Sequence, residues 1–474
     1  MTSDRSRAVP APPSECDVLV VGAGIAGLVT AMRLRRARPD LHVEVIDVAP
    51  YAGGKLRTGT LAGTTIDVGA EAVIARRPEG LRLIEELGLD DRMRYPGVTD
   101  ARIASGGALV PVPQDTLMGV PTDIESVAAS GLLSAAGVDR LRAAVATDLS
   151  GDVSVAEAIG GQLGDEVVDR LVEPLLAGVY AGRAESLSLR ATIPALSSAL
   201  DGETSVLEAA SAARAAAPRS DAPVFATLAG GIGSIPDELI AREQLSVTLG
   251  CPARAIDRVG DRFVVETGAA PDPVRVSARA VVVATQPQKA SRLLADVCPA
   301  ASGELAEVRV SSMAVIAIAY RVSDLASAPP SSSGILVPVS QGTAVKAATY
   351  VTNKWPHIAD DELFIVRASI GRLGEDHVLQ RSDEDLLAIA RHDLAILAGI
   401  SGEPIDWLVQ RWAGSLPQYE VGHLERVERI RSAVDGIPGL AVAGATYDGV
   451  GIPGCINSAH AAASTVLQHL EGDG

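Results

Sequence analysis

The segment CDVLVVGAGIAGL, residues 16–28, decides the fold of this chain. Its first six residues are an apolar run rich in valine, which is typical of a strand buried on both faces. The run is followed directly by GAGIAG at residues 22–27. Residues 28–38 then predict a helix, and residues 42–46 predict a second strand that ends at Asp47. This order is a βαβ unit with its glycines on the first βα turn, and it predicts a Rossmann-type α/β domain.

The three glycines of this turn have the spacing GxGxxG, which is weak evidence alone but stronger between a strand and a helix. Gly22 permits the tight turn, Gly24 lets the backbone approach a pyrophosphate, and Gly27 lets helix and strand pack closely. The backbone amides of Ile25 and Ala26 begin the helix, where free N–H groups and the positive end of the helix dipole favour phosphate. The sequence therefore predicts a dinucleotide site at this turn.

Asp47 and two later segments extend the predicted site and favour FAD over NAD. The carboxylate of Asp47, at the end of the second strand, would accept hydrogen bonds from a ribose diol. GGKLRT at residues 53–58 suits a second pass of backbone along the diphosphate, and IDVGAE at residues 66–71 offers small residues for close approach to a ring system. The cofactor contacts predicted in these two segments are Gly53, Gly54, Lys55, Gly69, Ala70 and Glu71.

Other apolar runs predict that the same domain is discontinuous in sequence. Strands are predicted at residues 280–285 and 440–444, and a final alanine-rich helix runs from about residue 456 to 470. Between these pieces, residues 165–176 and 383–398 predict helices. The predicted division is a disordered tail at 1–15, an FAD-binding domain at 16–95, 221–301 and 423–474, a helical domain at 96–220, and a mixed-sheet substrate-binding domain at 302–422.

Composition excludes several classes of function. The formal net charge of −18 argues against a nucleic-acid partner, because phosphate binding needs clustered lysines and arginines. No apolar stretch of about 18 residues predicts a transmembrane segment, so at most a peripheral membrane contact is expected. The polar, proline-rich start has no secretory signal, which predicts a cytoplasmic protein.

Cysteine and histidine usage predicts no metal site. The four cysteines are widely dispersed and form no CxxC pair, so we expect reduced and mostly buried thiols. No His, Cys or carboxylate cluster has the spacing of metal ligands.

Beyond these features, the chain resembles the oxygen-dependent porphyrinogen oxidases of haem synthesis, within the flavin amine oxidase superfamily. The resemblance covers essentially the whole chain after residue 15. Two of its segments, LAGVYAG and LPQYEVGH, are specific to the porphyrinogen group rather than to the superfamily. The segments are GGK at 53–55 with DVGAE at 67–71, LAGVYAG at 176–182, LPQYEVGH at 416–423 and AGATYDGVG at 443–451.

The resemblance implies a reaction. FAD would oxidise the reduced macrocycle in two-electron steps, and O2 would accept the electrons as H2O2. Because the chain is acidic and has no evident apolar anchor, the more polar tetrapropionate substrate, coproporphyrinogen III, is our first choice, and protoporphyrinogen IX is the alternative. A ferrochelatase is the partner to which the resemblance suggests the product would be handed.

The resemblance also implies roles for particular residues. The backbone of Gly178 would lie near the macrocycle, and Arg102 would bind a propionate, although the local alignment at Arg102 slips by one residue. Tyr419 and His423 are expected to be core or hydrogen-bonded residues rather than catalytic ones. Lys354 and Arg367 are expected to be surface or structural residues, and the flavin contacts implied near the C-terminus are Asp448, Val450, Gly451 and Ile452.

Two other classes of function stay open. A flavin amine oxidase or carotenoid desaturase would share the superfamily, but amine oxidases frame the flavin with aromatic residues and GIPGC at 451–455 offers none. A flavin-binding porphyrin carrier without turnover is the non-enzymatic alternative, since the redox chemistry resides in the cofactor.

Overall fold

The computed structural model describes residues 11–200, 204–217 and 223–472. Residues 1–10 of the predicted disordered tail lie outside this part. The tail prediction is wrong at its end, because Glu15 already belongs to the first strand, where it pairs with Ser277.

A largely parallel sheet forms the first layer of the molecule. Glu15–Val21 lies between Val43–Asp47 and Asp272–Val283, and it is parallel to both. Ser246–Leu249 extends the sheet on one side, parallel to Val43–Asp47. Arg262–Ala269 and Ala253–Val259 extend it on the other side as antiparallel strands, and Leu440–Val442 pairs in parallel with Asp272–Val283. The sheet therefore draws strands from three separated parts of the chain, and the predicted Rossmann-type α/β class is confirmed.

Burial on both faces explains why the first strand is a continuous apolar run. Val18 and Val20 pack into one apolar cluster, which includes the helices Ile25–Ala37 and Ile452–Gly472. Leu19, on the opposite face, packs into a second cluster. Burying a side chain of this size stabilises the fold by about 1.5–3 kcal/mol.

A second sheet of seven strands forms the other large layer. Its strands alternate in direction except for one parallel pair, Gly334–Leu336 with Ala101–Ser105. One face packs against the helix Asp383–Ala398, and the other face meets Trp355 and the hairpin that ends at Asp67. In spatial order the strands are Asp406–Pro417, Val310–Arg321, Leu363–Ile370, Val345–Tyr350, Gly334–Leu336, Ala101–Ser105 and Ala108–Pro111.

The expectation that residues 96–220 are helical is wrong at their N-terminal end. Ala101–Ser105 and Ala108–Pro111 form a hairpin around Gly106 and Gly107, both at positive φ, and this hairpin joins the second sheet. Two adjacent glycines between two short apolar runs indicate a β-hairpin, and the helical interpretation overlooked this pattern. Apart from this correction, the division into domains stays a prediction.

The remaining part of that region is helical from residue 124 onward. The predicted helix 165–176 continues to Tyr180, where Ala181 ends it in the left-handed conformation at φ 49°. The helical segments are Ile124–Ala129, Ala135–Arg142, Ala156–Gly160, Gly161–Leu163, Asp165–Val167, Val168–Val172, Glu173–Tyr180, Leu189–Thr192, Pro194–Ala199 and Val206–Ala216.

Smaller elements complete the fold. The other helices are Pro78–Glu86, Ile235–Glu243, Pro287–Leu294, Pro299–Ala306, Val351–Lys354 and His423–Asp435, with short 3-10 turns at Asp90–Arg92, Ile232–Ser234, Val322–Asp324, Val339–Gln341 and Asp376–Gln380. The other strands are Thr58–Leu61, Thr64–Asp67, Val73–Ile74, Met93–Arg94, Thr116–Leu117, Val120–Pro121 and Phe225–Leu228. Among the described residues, no helix has the length and apolar character needed to span a membrane.

Candidate functional site

The first βα turn has two glycines that pack and one that faces open space. A Cβ on Gly22 would lie 2.4 Å from the carbonyl oxygen of Ala284, and one on Gly27 would lie 1.9 Å from that of Gly22. A Cβ on Gly24, in contrast, would meet no atom within 4 Å. Close packing therefore requires Gly22 and Gly27, whereas Gly24 leaves room for another molecule to approach the backbone.

The helix that begins at Ile25 has the free amides predicted for phosphate binding. Its N-cap is Gly24, which has no side chain to cap the helix, and the first turn has no acidic residue. The first N–H groups of a helix have no intrahelical partner, so they attract an anion. Ile25 and Ala26 are thus placed as predicted, although their contact with a cofactor stays a prediction.

Asp47 lies beside the same turn. One carboxylate oxygen accepts a hydrogen bond from the backbone N–H of Ala23 at 2.7 Å, and the other accepts one from Ala49 at 2.8 Å. A carboxylate has about four acceptor positions, so capacity for a ribose hydroxyl remains. The residue therefore supports the turn itself, in addition to the ribose contact predicted for it.

The segment Gly53–Lys55 packs directly on the first turn. The N–H of Gly53 donates to the Ala23 carbonyl at 2.7 Å, and a Cβ on Gly54 would lie 3.3 Å from the Cα of Gly24. Lys55 donates from Nζ to the carbonyl of Ser415 at 2.6 Å, and burial lowers the pKa of this ammonium.

Gly69 and Ala70 pack in turn on Lys55. The N–H of Ala70 donates to the Lys55 carbonyl at 2.9 Å, and a Cβ on Gly69 would lie 1.9 Å from the same oxygen. Residues 22–27, 53–55 and 69–71, called the glycine-rich cluster below, are therefore brought together by the fold.

The carboxylate of Glu71 points into a buried group of two cations and an indole. It accepts hydrogen bonds from Lys354 Nζ and Trp355 Nε1, each at 2.9 Å, and Arg367 Nη1 lies 3.3 Å away. Burial alone would raise the pKa of Glu71, but the two cations outweigh it and lower the pKa to about 2. Arg367 also donates to the carbonyl of Gly69 at 2.8 Å. Lys354 and Arg367 are therefore structural rather than surface residues, and they hold the end of the glycine-rich cluster.

The C-terminal segment implied to contact flavin lies against the same cluster. Ile452 shares an apolar cluster with Ile25 and Ala26, and it begins the long C-terminal helix. Val450 and Gly451 come directly before this helix, and Val450 packs on the helical region.

Asp448, in the same segment, directs its carboxylate to Arg431 at 2.5 Å. Its side chain is therefore occupied by an ion pair. The flavin contacts predicted for Asp448, Val450, Gly451 and Ile452 stay predictions.

Gly178 lies on the exposed side of the last turn of the helix Glu173–Tyr180. A Cβ there would meet no atom within 4 Å, and the neighbouring Val179 is 41% exposed. This turn is the second place, after Gly24, at which a predicted site glycine faces open space.

Arg102 is not brought together with Gly178. Successive side chains of a strand point to opposite faces, and Ile103 packs in the cluster that contains Tyr180. Arg102 therefore points to the other face, where its Nη2 lies 3.3 Å from Asp100. Its propionate role stays a prediction, and this geometry weighs against it.

Tyr419 and His423 are confirmed as buried, hydrogen-bonded residues. Their rings stack with centroids 3.9 Å apart, and Tyr180 packs on the other side of Tyr419 at 5.5 Å. The hydroxyl of Tyr419 donates to the carbonyl of Ala445 at 2.7 Å.

His423 Nε2 lies 3.0 Å from the carbonyl of Thr446, and burial lowers the pKa of His423 to about 4. The imidazole is therefore neutral at pH 7 and donates from Nε2 to that carbonyl. This aromatic column joins the helix of Gly178 to the turn before Asp448. No sequence pattern indicates this connection, because Tyr180 and Tyr419 are far apart in the chain.

The four cysteines are free and buried, as expected. No group of three or more His, Cys, Asp or Glu side chains in the described ranges is arranged to hold a metal ion.

Known proteins resemble this chain along nearly its whole length. The sequence model of the family "Flavin containing amine oxidoreductase" matches residues 25–467. The chain is 38% identical to a protein of Mycobacterium leprae named coproporphyrinogen III oxidase, over 93% of this chain and 96% of the relative. It is 36% identical to the protein of that name from Mycobacterium tuberculosis H37Rv, over 97% of this chain and 98% of the relative.

A solved structure agrees with the fold. The crystal structure of a provisionally named protoporphyrinogen oxidase from Exiguobacterium sp. 255-15 superimposes with a TM-score of 0.84 at 29% identity. The match covers 98% of this chain and 100% of that one.

Proposed function

Because the chain belongs to the flavin containing amine oxidoreductase family, we propose that it is a coproporphyrinogen III oxidase that uses FAD and O2. The single observation that supports this most directly is the likeness, over nearly the full length, to two mycobacterial relatives of that name. The cytoplasmic location and the handover to a ferrochelatase stay predictions from the sequence.

The residues of the glycine-rich cluster fit an adenine dinucleotide. Gly24 has the open space that a pyrophosphate needs, and the uncapped helix start at Ile25 offers N–H donors toward it. Lys55, within the cluster, has a buried Nζ that donates to the carbonyl of Ser415, and burial lowers its pKa. When bound, FAD supplies the two-electron oxidation of the macrocycle, with O2 as the electron acceptor and H2O2 as its product.

The chain's own contribution is binding and orientation. The ion pairs of Glu71 with Lys354 and Arg367, together with the hydrogen bond from the N–H of Ala70 to the Lys55 carbonyl, hold the segment 69–71 in place. Gly178 and Val179 offer a small, exposed and apolar surface that suits the face of a macrocycle. Three rounds of two-electron oxidation convert a porphyrinogen into a porphyrin, so the substrate must be held in more than one orientation or released between rounds.

Protoporphyrinogen IX is the second candidate substrate, and the name of the Exiguobacterium protein favours it. Coproporphyrinogen III carries four propionates and protoporphyrinogen IX carries two, so the two substrates differ in charge more than in shape. A site that binds four carboxylates must supply more positive charge or more hydrogen-bond donors.

Parallel steady-state assays test the proposal. Purified protein, fully loaded with FAD, is mixed under air with coproporphyrinogen III or protoporphyrinogen IX, and porphyrin fluorescence and peroxide are followed. We expect a higher kcat/KM with coproporphyrinogen III. A preference for protoporphyrinogen IX would establish the second candidate, and turnover of neither would contradict the enzyme proposal.

Two controls distinguish a porphyrinogen oxidase from a flavin amine oxidase and from a porphyrin carrier without turnover. A panel of amines should release no peroxide, whereas a flavin amine oxidase would do so. Anaerobic mixing with reduced substrate should bleach the flavin spectrum, whereas a porphyrin carrier would leave it oxidised.

A further inference from the structure

Lysine is rare in this chain: of its 41 lysines and arginines, only four are lysines. Lys289 is exposed, while Lys55, Lys346 and Lys354 all direct their ammonium groups inward. Arginine and lysine are not interchangeable where a compact cation must fit, because a guanidinium is planar and larger. In each of these three lysines, Nζ donates to a protein oxygen: the carbonyl of Ser415, the carbonyl of Ala177 or the carboxylate of Glu71.

Lys346 is the most buried of the three and has no carboxylate partner. It is 2% exposed, and it lies at an irregular step in the pairing of Val345–Tyr350 with Leu363–Ile370. Its Nζ donates to the carbonyl of Ala177 at 3.3 Å. Within the described part of the chain, no ion pair includes Lys346.

The carbonyl of Ala177 belongs to the last turn of the helix that carries Gly178. Carbonyls at a helix C-terminus carry partial negative charge, so a cation there is favourable. The carbonyl of Ala177 also accepts from the backbone N–H of Ala181 at 3.1 Å, and that of Tyr180 accepts from Ser311 Oγ at 3.1 Å and from Gln418 Nε2 at 2.8 Å. Lys346 is thus the side chain that holds the part of the turn nearest to Gly178.

We propose that Lys346 is a positioning residue for the porphyrinogen, because its ammonium fixes the turn 177–179 that presents Gly178 and Val179 to the substrate. This inference rests on the function proposed above. Lys346 does not touch the substrate; it acts through the backbone of Ala177.

Several charged groups face Lys346 from the surrounding elements. Arg372, also 2% exposed, donates to the carbonyls of Thr343 and Val337, and Glu375 lies 3.5 Å from it. Burial and the nearby guanidinium of Arg372 lower the pKa of Lys346 to about 7, while Glu375 acts in the opposite direction.

Further from the ammonium are three more groups. Glu173 and Arg183, 3.3 Å apart, interact with Arg372, and Asp393 accepts from the N–H of Val345. Because Lys346 loses its proton as the pH rises through about 7, its hold on the Ala177 carbonyl should weaken in the same range.

The test uses K346M, which keeps the length and loses the charge, K346R, and the matched control K289M at the exposed lysine. We expect K346M to bind flavin and to unfold at no lower temperature, because replacing a buried charge by an apolar side chain is often neutral or stabilising. Its KM for coproporphyrinogen III should rise roughly tenfold, with kcat changed less than about twofold, as expected for loss of a charge-assisted hydrogen bond. K289M should behave as wild type.

Two readouts separate positioning from a merely structural role. The wild-type KM should rise severalfold as the pH passes through about 7, and this dependence should be absent in K346M and weaker in K346R. In hydrogen–deuterium exchange, a peptide that covers residues 173–180 should exchange faster in K346M and not in K289M.

Every outcome decides the inference. A wild-type KM and pH profile in K346M, or unchanged exchange in residues 173–180, would overturn it. If K346M does not fold, a wild-type KM that is flat across the same pH range would overturn it. If the wild type oxidises no porphyrinogen but K346M still loosens the turn, the proposed function fails and the hold of Lys346 on the helix stands.

Discussion

Gly24→Ala should separate folding from cofactor binding. Gly24 has φ −71° and ψ 172°, a backbone conformation that alanine adopts without strain, and an added Cβ would meet no protein atom within 4 Å. The fold should therefore accept the methyl group. The only group that it should obstruct is a dinucleotide bound against the turn.

The substitution should leave the stability of the flavin-free protein unchanged or raise it, but it should lower the affinity for FAD. Without cofactor, G24A should be as stable as wild type or more stable by about 0.4–1 kcal/mol, because alanine restricts the unfolded chain. With cofactor, a methyl group forced into a close contact costs roughly 1–3 kcal/mol. This cost corresponds to a rise of about 5- to 150-fold in the Kd for FAD.

The assay compares three glycine variants. Thermal unfolding of the flavin-free proteins and titration with FAD, followed by quenching of flavin fluorescence, give both quantities. G303A is the matched control, because Gly303 lies in the helix Pro299–Ala306 and a Cβ there also meets no atom within 4 Å. Gly27→Ala should fail to fold, since its Cβ would lie 1.9 Å from a carbonyl oxygen. Wild-type FAD affinity in a stable G24A protein would refute the assignment of this turn as the pyrophosphate site.

Three further variants extend the test. Gly178→Ala should fold and bind flavin normally but raise the KM for coproporphyrinogen III about tenfold by crowding the site; an unchanged KM would remove Gly178 from the substrate contact. Glu71→Gln should lower the free energy of unfolding by about 3–5 kcal/mol in urea, because two buried cations lose their counter-ion. Since the pKa of Glu71 is lowered to about 2, the wild type should lose this stability as the pH falls from about 4.5 to about 2, and the variant should lack this acid-sensitive component. Tyr419→Phe should destabilise by about 1–3 kcal/mol, because the carbonyl of Ala445 is left unpaired, and wild-type stability would contradict that role.

Local pattern was sufficient to predict the core of the fold. The valine-rich strand, the glycine turn and the following helix depend on neighbours in sequence, and the helix Asp383–Ala398 has the predicted bounds. The hairpin at Gly106 and Gly107 was missed because its strands are short and gain their stability from pairing with the distant Gly334–Leu336.

The site was harder to predict than the fold. Gly22, Gly24 and Gly27 lie between the first strand and the first helix, as their spacing predicted, because this turn is local in sequence. Their contact with a cofactor stays a prediction. The partners of Glu71 lie almost 300 residues away in sequence, and the hold of Lys346 on Ala177 depends on two elements that only the tertiary fold brings together. The assignment of Arg102 rested on an alignment that did not settle which face of its strand it occupies.

The order in which the first sheet is assembled sets a limit on when the protein can acquire its cofactor. The C-terminal helix Ile452–Gly472 packs against the helix Ile25–Ala37, which follows the first βα turn, and the strand Leu440–Val442 pairs with Asp272–Val283. During synthesis on the ribosome, the helix after the N-terminal βα turn therefore lacks one of its packing partners until the helix Ile452–Gly472 has emerged. We therefore expect flavin to be taken up only after this helix has been made, and chains truncated before residue 452 should be colourless when purified.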